Sequence, residues 1–230
     1  MPTSVRAVLF DLDGTFADTA ADLARALNRL LGERGRASLP TAVLRPHTSG
    51  GARGLIQAGF GISPESEGYG ALRERFLDLY AQDLCVDTRL FDGIPELLYE
   101  IEARRLPWGI VTNKAKRFTE PLLERLRMNA RARCIVSGDS TPHIKPHPAP
   151  LQLAASLLSL PPDECVYVGD DLRDVQAARA AGMPVFAAGW GYLGEGADPR
   201  TWDADAVLSH PREVIELVGG EEEESCPPTG

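Results

Sequence analysis

From residue 88 onward the chain alternates short apolar runs with stretches of helical spacing, and that alternation leaves few folds open. Trp108 to Val111, Cys134 to Val136, Val166 to Val168 and Val185 to Ala188 are apolar throughout and too short for helices. Runs of this length, bounded by turn chemistry, read as buried strands. Between them lie helical patterns: Leu97, Leu98 and Ile101 behind a first-turn Pro95; Phe118, Leu122 and Leu126; Leu151 to Leu160; and about Val175 to Ala181. Strands alternating with helices make β-α units around a parallel sheet. A further short run, Ala7 to Phe10, reads as a buried strand at the start of the chain.

Residues 17–87 read differently. Leu23, Leu27, Leu30 and Leu31 recur at helical spacing behind Thr19, an expected N-cap, with Asp22 three residues on, close to a capping box. Gly32 and Gly35 end that helix. Small residues follow, including Ser49-Gly50-Gly51-Ala52-Arg53-Gly54, and a second helix over about Glu67 to Leu84 sets Leu72, Phe76, Leu79 and Tyr80 on one face. The expectation is a discontinuous α/β core of residues 1–16 and 88–220, an all-helical insert without strands at 17–87, and a disordered tail at 221–230, E-E-E-E-S-C-P-P-T-G.

At 230 residues and 43% hydrophobic, the chain can bury one sizeable core and a smaller second one. A net charge of −9 argues against nucleic acid or an anionic membrane as partner. Cys85, Cys134, Cys165 and Cys226 have no C-x-x-C spacing, which reads as reduced thiols in a cytoplasmic protein. No apolar stretch approaches the roughly 18 residues of a membrane span.

Three apolar runs end in polar groups suited to phosphate or metal: Asp11 with Asp13, Thr112 with Asn113, and Asp170 with Asp171. In open α/β sheets ligands bind outside the carboxyl ends of the strands. If these ends converge, the site holds several carboxylates, a hydroxyl and a lysine. Such a set of oxygens suits Mg²⁺. A zinc site is not expected, since His47, His143, His147 and His210 are scattered and unpaired with cysteines.

Asp11-Leu12-Asp13-Gly14-Thr15 behind its apolar run resembles the first motif of the haloacid dehalogenase-like superfamily, most of whose members transfer phosphoryl groups through an aspartate. Thr112 in G-I-V-T matches the second motif, Lys145 in I-K-P-H-P the third, and Gly169-Asp170-Asp171-Leu172-Arg173-Asp174 the fourth. The helical insert resembles the cap of the phosphoglycolate phosphatase-like branch. The resemblance implies a Rossmann-like parallel sheet of flavodoxin-like strand order, with the cap closing over the site. It implies Asp11 as nucleophile, and Asp13 as the acid and base, its proton affinity held up by a neighbouring carboxylate. Mg²⁺ is then held by Asp11, the Asp13 main-chain carbonyl and Asp170. Thr112 and Asn113 donate to phosphoryl oxygens and Lys145 neutralises charge. Asp171 and Asp174 support the site, one orienting Lys145 or a metal-bound water and the other capping the next helix. Lys114 either touches substrate or is a solvated residue at a helix start.

Asp13 argues for phosphate chemistry over dehalogenation, and the absence of lysine from 17–87 excludes a Schiff-base cap. Gly169-Asp170 fits a phosphatase better than the Glu-Asp pair frequent in related mutases. Phe16 stands where leucine is usual in the first motif, an apolar exchange. Ser49-Gly50-Gly51-Ala52-Arg53, Trp108 to Lys114, Val168 to Asp174, Gly191-Tyr192 and Trp202 to Pro211 resemble the N-acetylmuramic acid 6-phosphate phosphatases, and the motifs are also similar to phosphoglycolate phosphatases. Both substrates are small phosphate esters carrying a carboxylate, for which Ser49, Gly50, Gly51 and Arg53 in the cap are the expected contacts. The reading from another class is an inactive binding or regulatory protein on the same fold.

Overall fold

A computed structural model describes residues 5–194 and 196–218, so the expected tail at 221–230 and Cys226 lie outside the described residues. Strand β1 (Ala7–Phe10) leads to a two-residue strand β2 (Ala17–Asp18). Four helices follow: α1 (Ala20–Glu33), α2 (Thr41–Leu44), α3 (Gly51–Phe60) and α4 (Tyr69–Gln82), with a 3-10 segment at Arg45–Gly50 before α3. A second two-residue strand, β3 (Arg89–Leu90), pairs antiparallel with β2. The chain continues through α5 (Ile94–Ala103), β4 (Trp108–Val111), α6 (Lys116–Arg125), β5 (Cys134–Val136) and α7 (Ala149–Leu158). It ends with β6 (Cys165–Gly169), α8 (Leu172–Ala181), β7 (Val185–Ala188), β8 (Ala206–Leu208) and α9 (Glu213–Val218).

The six longer strands form one parallel sheet in the order β5-β4-β1-β6-β7-β8. Numbered along the sheet strands alone this is 3-2-1-4-5-6, the Rossmann order, which corrects the expected flavodoxin-like order. Two β-α units, not one, lie on the far side of β1. The order reverses between β1 and β6, which sets the carboxyl ends of two neighbouring strands beside a crevice.

Successive residues of a strand face opposite sides, so an unbroken apolar strand feeds two cores. Val8 and Phe10 join Ile110, Val166 and Val168 in one buried cluster, which also takes in the leucines of α1 and α4. Ala7 and Leu9 join Val136, Tyr167 and Val185 in the other, packed against α7 and α8.

Two local expectations are corrected. Residues 17–87 are not free of strand, because β2 lies within them; a two-residue pairing leaves no periodic trace in sequence. Thr19 is the N-cap of α1, but its side chain does not cap the helix. The backbone N–H groups of Thr19 and Ala20 instead donate to the Tyr192 hydroxyl, at 2.7 and 3.0 Å. Asp22 turns outward from its helix and accepts from the backbone of Val86, Asp87 and Thr88 and from the Thr88 hydroxyl. That carboxylate ties the return of the insert to its beginning.

Candidate active site

Strand β1 stops at Phe10, and Asp11 stands just past its end, its N–H donating to Val168 O across to β6. Asp170 follows β6 and Thr112 follows β4, so three neighbouring strand ends deliver the groups the sequence singled out. Gly14 follows with a φ of +93°, and a Cβ there would collide with the Asp170 carboxylate and the Tyr192 ring. Glycine is needed for the chain to turn this close to Asp170.

Lys145 is the centre of the site. Its side chain is 3% exposed, and Nζ donates to Asp11 Oδ1 at 2.8 Å and Asp174 Oδ1 at 2.7 Å. It also lies 2.6 Å from the Tyr167 hydroxyl and 3.0 Å from Val111 O. The two neighbouring carboxylates hold the ammonium above its ordinary value despite burial. Asn113 clamps the lysine's main chain, accepting from Lys145 N at 2.9 Å and donating to Lys145 O at 3.0 Å. Thr112 is buried, and its hydroxyl accepts from Lys114 N at 3.2 Å.

Asp170 is fully buried, and Thr15 Oγ1, Ser49 Oγ and Tyr192 N donate to it at 3.1, 3.2 and 2.8 Å. Asp11, Asp170 and Asp174 each bring a carboxylate oxygen within 4.8 Å of the others. Three carboxylates thus face one lysine. Burial, and after it the other carboxylates, push Asp170 far above its usual range. Asp11 is pushed up to about 7, mainly by burial, with Lys145 opposing. An excess of buried anionic oxygens over cations is the donor set a hard divalent ion fits. Asp174 is already committed, with Oδ1 to Lys145 and Oδ2 to Asp171 N.

Asp13 has the Asp11 carboxylate close enough to feel its charge, and it meets a cation as well. Lys114 Nζ donates to both of its oxygens, at 3.0 and 2.9 Å, and Thr19 Oγ1 donates at 2.5 Å. Lys114 is therefore not a solvated helix-start residue: its side chain is 8% exposed, with Nζ 4.8 Å from the centroid of the Tyr80 ring. Asp171 begins α8 with a capping box shared with Asp174.

The insert approaches from above. Arg173 is bidentate to Asp171 and donates through Nη2 to Ser49 O at 2.6 Å, while Ser49 Oγ reaches Asp170. The cavity between the two parts measures about 340 Å³. Asp11, Asp13, Lys145, Ser49, Gly50, Gly51 and Arg53 line it, together with Arg73, Arg117 and an aromatic wall of Tyr69, Phe76, Tyr80 and Phe118. Thr112, Asn113, Lys114, Asp171 and Asp174 also border it, whereas Asp170 lies behind the lining.

Tyr167, Tyr192 and Arg173 were missed as working parts of the site. A tyrosine inside the otherwise aliphatic Val166 to Val168 was a usable signal, since a buried hydroxyl requires a partner. Tyr192 and Arg173 act through contacts between distant segments and carry no such local sign.

A family profile described as Haloacid dehalogenase-like hydrolase matches residues 8–188. The chain is 41% identical to an N-acetylmuramic acid 6-phosphate phosphatase of Pseudomonas putida, over 93% of this chain and 96% of that one. It is also 41% identical to a phosphoglycolate phosphatase of Xanthomonas campestris, over 92% and 95% of the two chains. Among solved structures, a predicted phosphoglycolate phosphatase from Haemophilus somnus superposes with a TM-score of 0.82 at 25% identity, over 94% of this chain and 98% of that one.

Proposed function

Since the chain belongs to the haloacid dehalogenase-like hydrolases and is a phosphoric monoester hydrolase, we propose that it hydrolyses N-acetylmuramic acid 6-phosphate through an aspartyl phosphate on Asp11. In the first step Asp11 attacks phosphorus in line; an Asp11–phosphorus bond forms as the ester P–O bond breaks. Asp13 gives its proton to the departing alkoxide. Water then attacks the same phosphorus, Asp13 takes a proton from it, and the Asp11 carboxylate is released with inorganic phosphate. Lys145, 2.8 Å from Asp11, stands beside the charge that develops on the phosphoryl oxygens. Thr112 and Asn113 are proposed to contribute further hydrogen bonds there, Asn113 also fixing Lys145. Asp11, the Asp13 main-chain carbonyl and Asp170 would hold Mg²⁺, which when bound supplies the charge that lets an anionic nucleophile approach an anionic ester.

The observation that carries the choice of substrate is the cavity. At about 340 Å³ it falls at the lower end of the roughly 300–1,000 Å³ range that encloses drug-sized ligands. Its aromatic wall offers cover for the acetyl and lactyl methyl groups of an amino sugar acid, and Arg53 matches the carboxylate. A two-carbon acid would leave most of that wall facing water. On this reading the enzyme works in cytoplasmic recycling of cell-wall sugars. The second reading, 2-phosphoglycolate, is favoured by the relatives that carry that name. Values of kcat/KM for the two esters and for N-acetylglucosamine 6-phosphate, which lacks the lactyl acid, decide between them. The muramic ester should lead; a lead for 2-phosphoglycolate would overturn the proposal.

A further inference from the structure

Tyr80, on the apolar face of α4, carries a buried side-chain polar atom without a hydrogen-bond partner among the described residues. Buried hydroxyls are nearly always bonded, and leaving one unmade costs stability. The residue is 1% exposed and lines the cavity, with the Phe118 ring tilted against it at 5.4 Å between centroids. Its ring faces Lys114, and Lys114 in turn holds Asp13. Lys114 also lies close enough to favour the oxygen of the hydroxyl, but lysine supplies hydrogens only, so it cannot accept the hydrogen of the hydroxyl. What is missing beside Tyr80 is an acceptor.

We propose that Tyr80 is a specificity-determining residue whose hydroxyl donates to an acceptor oxygen on the alcohol part of the substrate. This rests on the phosphatase reading of the site. The phosphoryl group is assigned to Asp11 and Lys145, while Asp13 serves the ester oxygen that leaves. Tyr80 lies beyond Asp13, across Lys114, so a ligand atom that reaches it belongs to the leaving group. The favoured class is phosphate esters whose alcohol bears a carboxylate, carbonyl or hydroxyl oxygen a few atoms from the ester. Burial pushes the Tyr80 hydroxyl up to about 12, so it stays a neutral donor wherever the enzyme works. In the free protein the hydroxyl is a cost; in the complex it is a contact.

Those two roles have opposite signs in Tyr80→Phe. The free variant should melt at the same temperature as the wild type or higher, because a buried hydroxyl whose hydrogen has no acceptor is gone and the ring remains. Its kcat/KM should fall about tenfold on N-acetylmuramic acid 6-phosphate, the loss of one hydrogen bond, and by clearly less on phenyl phosphate, which has no acceptor on its alcohol. A lowered melting temperature with equal losses on both esters would make the hydroxyl a structural group and overturn the proposal. Unchanged kcat/KM on every acceptor-bearing ester would overturn it too. If the wild type hydrolyses no phosphate ester, the phosphatase reading fails by itself. Calorimetric titration with N-acetylmuramic acid and with glycolate then decides the hydroxyl: weaker binding of either by the variant upholds it, and equal affinities for both overturn it.

Discussion

Lys145 and Asp11 touch each other, yet the two side chains stand on opposite sides of a charge imbalance. Lys145 is the buried cation between Asp11 and Asp174. Removing it leaves two carboxylates without their counterion, a change that typically costs about 3–5 kcal/mol when a buried pair is broken. Lys145→Ala should therefore lose both turnover and stability, seen as a lower denaturant midpoint. Asp11→Asn removes one of three crowded anions and keeps the shape, so it should abolish turnover with no fall in melting temperature. Residual hydrolysis within about tenfold of the wild type in a folded Asp11→Asn protein would remove Asp11 from the nucleophile role. The cysteines give an independent check on burial. Cys134 is pushed up to about 12 and Cys165 to about 11, both mainly by burial, so a thiol reagent near pH 8 should label neither before unfolding. Asp11, Asp13, Thr112, Lys145 and Asp170 were legible because each is a polar residue at the end of an apolar run or a rare lysine. Tyr80 and Tyr167 were not, because an aromatic residue in an apolar pattern reads as core, and here both are core and polar at once.

The elements that hold the site are joined by side chains from neither the same strand nor the same helix. The N-terminus of α1 is closed by Tyr192, from the segment after β7, and its own Asp22 serves the chain at Val86 to Thr88 instead. Sequence spacing reported the helix, although Gly32 lies inside it and does not end it, and assigned the cap to the nearest candidate. Strand order was equally hidden: apolar runs reveal five of the six strands of the main sheet, not the half-exposed β8 at its edge, nor which side of β1 each one joins. The same logic makes Arg173 testable. Its guanidinium is held by Asp171 at the start of α8 and donates to Ser49 O in the insert. Arg173→Ala keeps the backbone cap from Arg173 N to Asp171, so α8 should remain folded. Amide exchange over residues 48–54 should quicken while the sheet strands stay protected, and KM should rise more than kcat falls. Arg173→Lys, which keeps the charge but loses the fork, should recover only part of the effect. Unchanged exchange at 48–54 would show that Arg173 does not fasten the insert.

Across the molecule the charges share one bias: the net charge is −9, and the buried acidic cluster of Asp11, Asp170 and Asp174 outnumbers Lys145. With Mg²⁺ at the proposed site, the expected consequence is a stability that depends jointly on pH and on divalent metal. Without metal, Asp11 is raised from 3.8 to about 7 in the folded state, and Asp170 is raised as well. Between the unfolded and folded values the native state binds more protons than the unfolded chain. A group of this kind stabilises the fold below its unfolded value and loses that contribution as pH climbs to its folded value. In EDTA, then, these two carboxylates make the protein less stable as pH rises across that window. Mg²⁺ bound at the proposed site would reverse the sign by favouring the charged form, and would stabilise by mass action because the unfolded chain has no such site. The measurement is the difference in melting temperature between Mg²⁺-loaded and EDTA-treated protein, which cancels every carboxylate outside the cluster. That difference should be small near about pH 5 and should widen toward about pH 7.5. Asp170→Asn should shrink it at the higher pH. Ca²⁺ should also raise the melting temperature, since it takes the same oxygens, but it should inhibit turnover, because its looser geometry lets Asp11 bind through both oxygens and lose its in-line aim. A gap that is absent at every pH, or full hydrolysis in excess EDTA, would remove Mg²⁺ from this site.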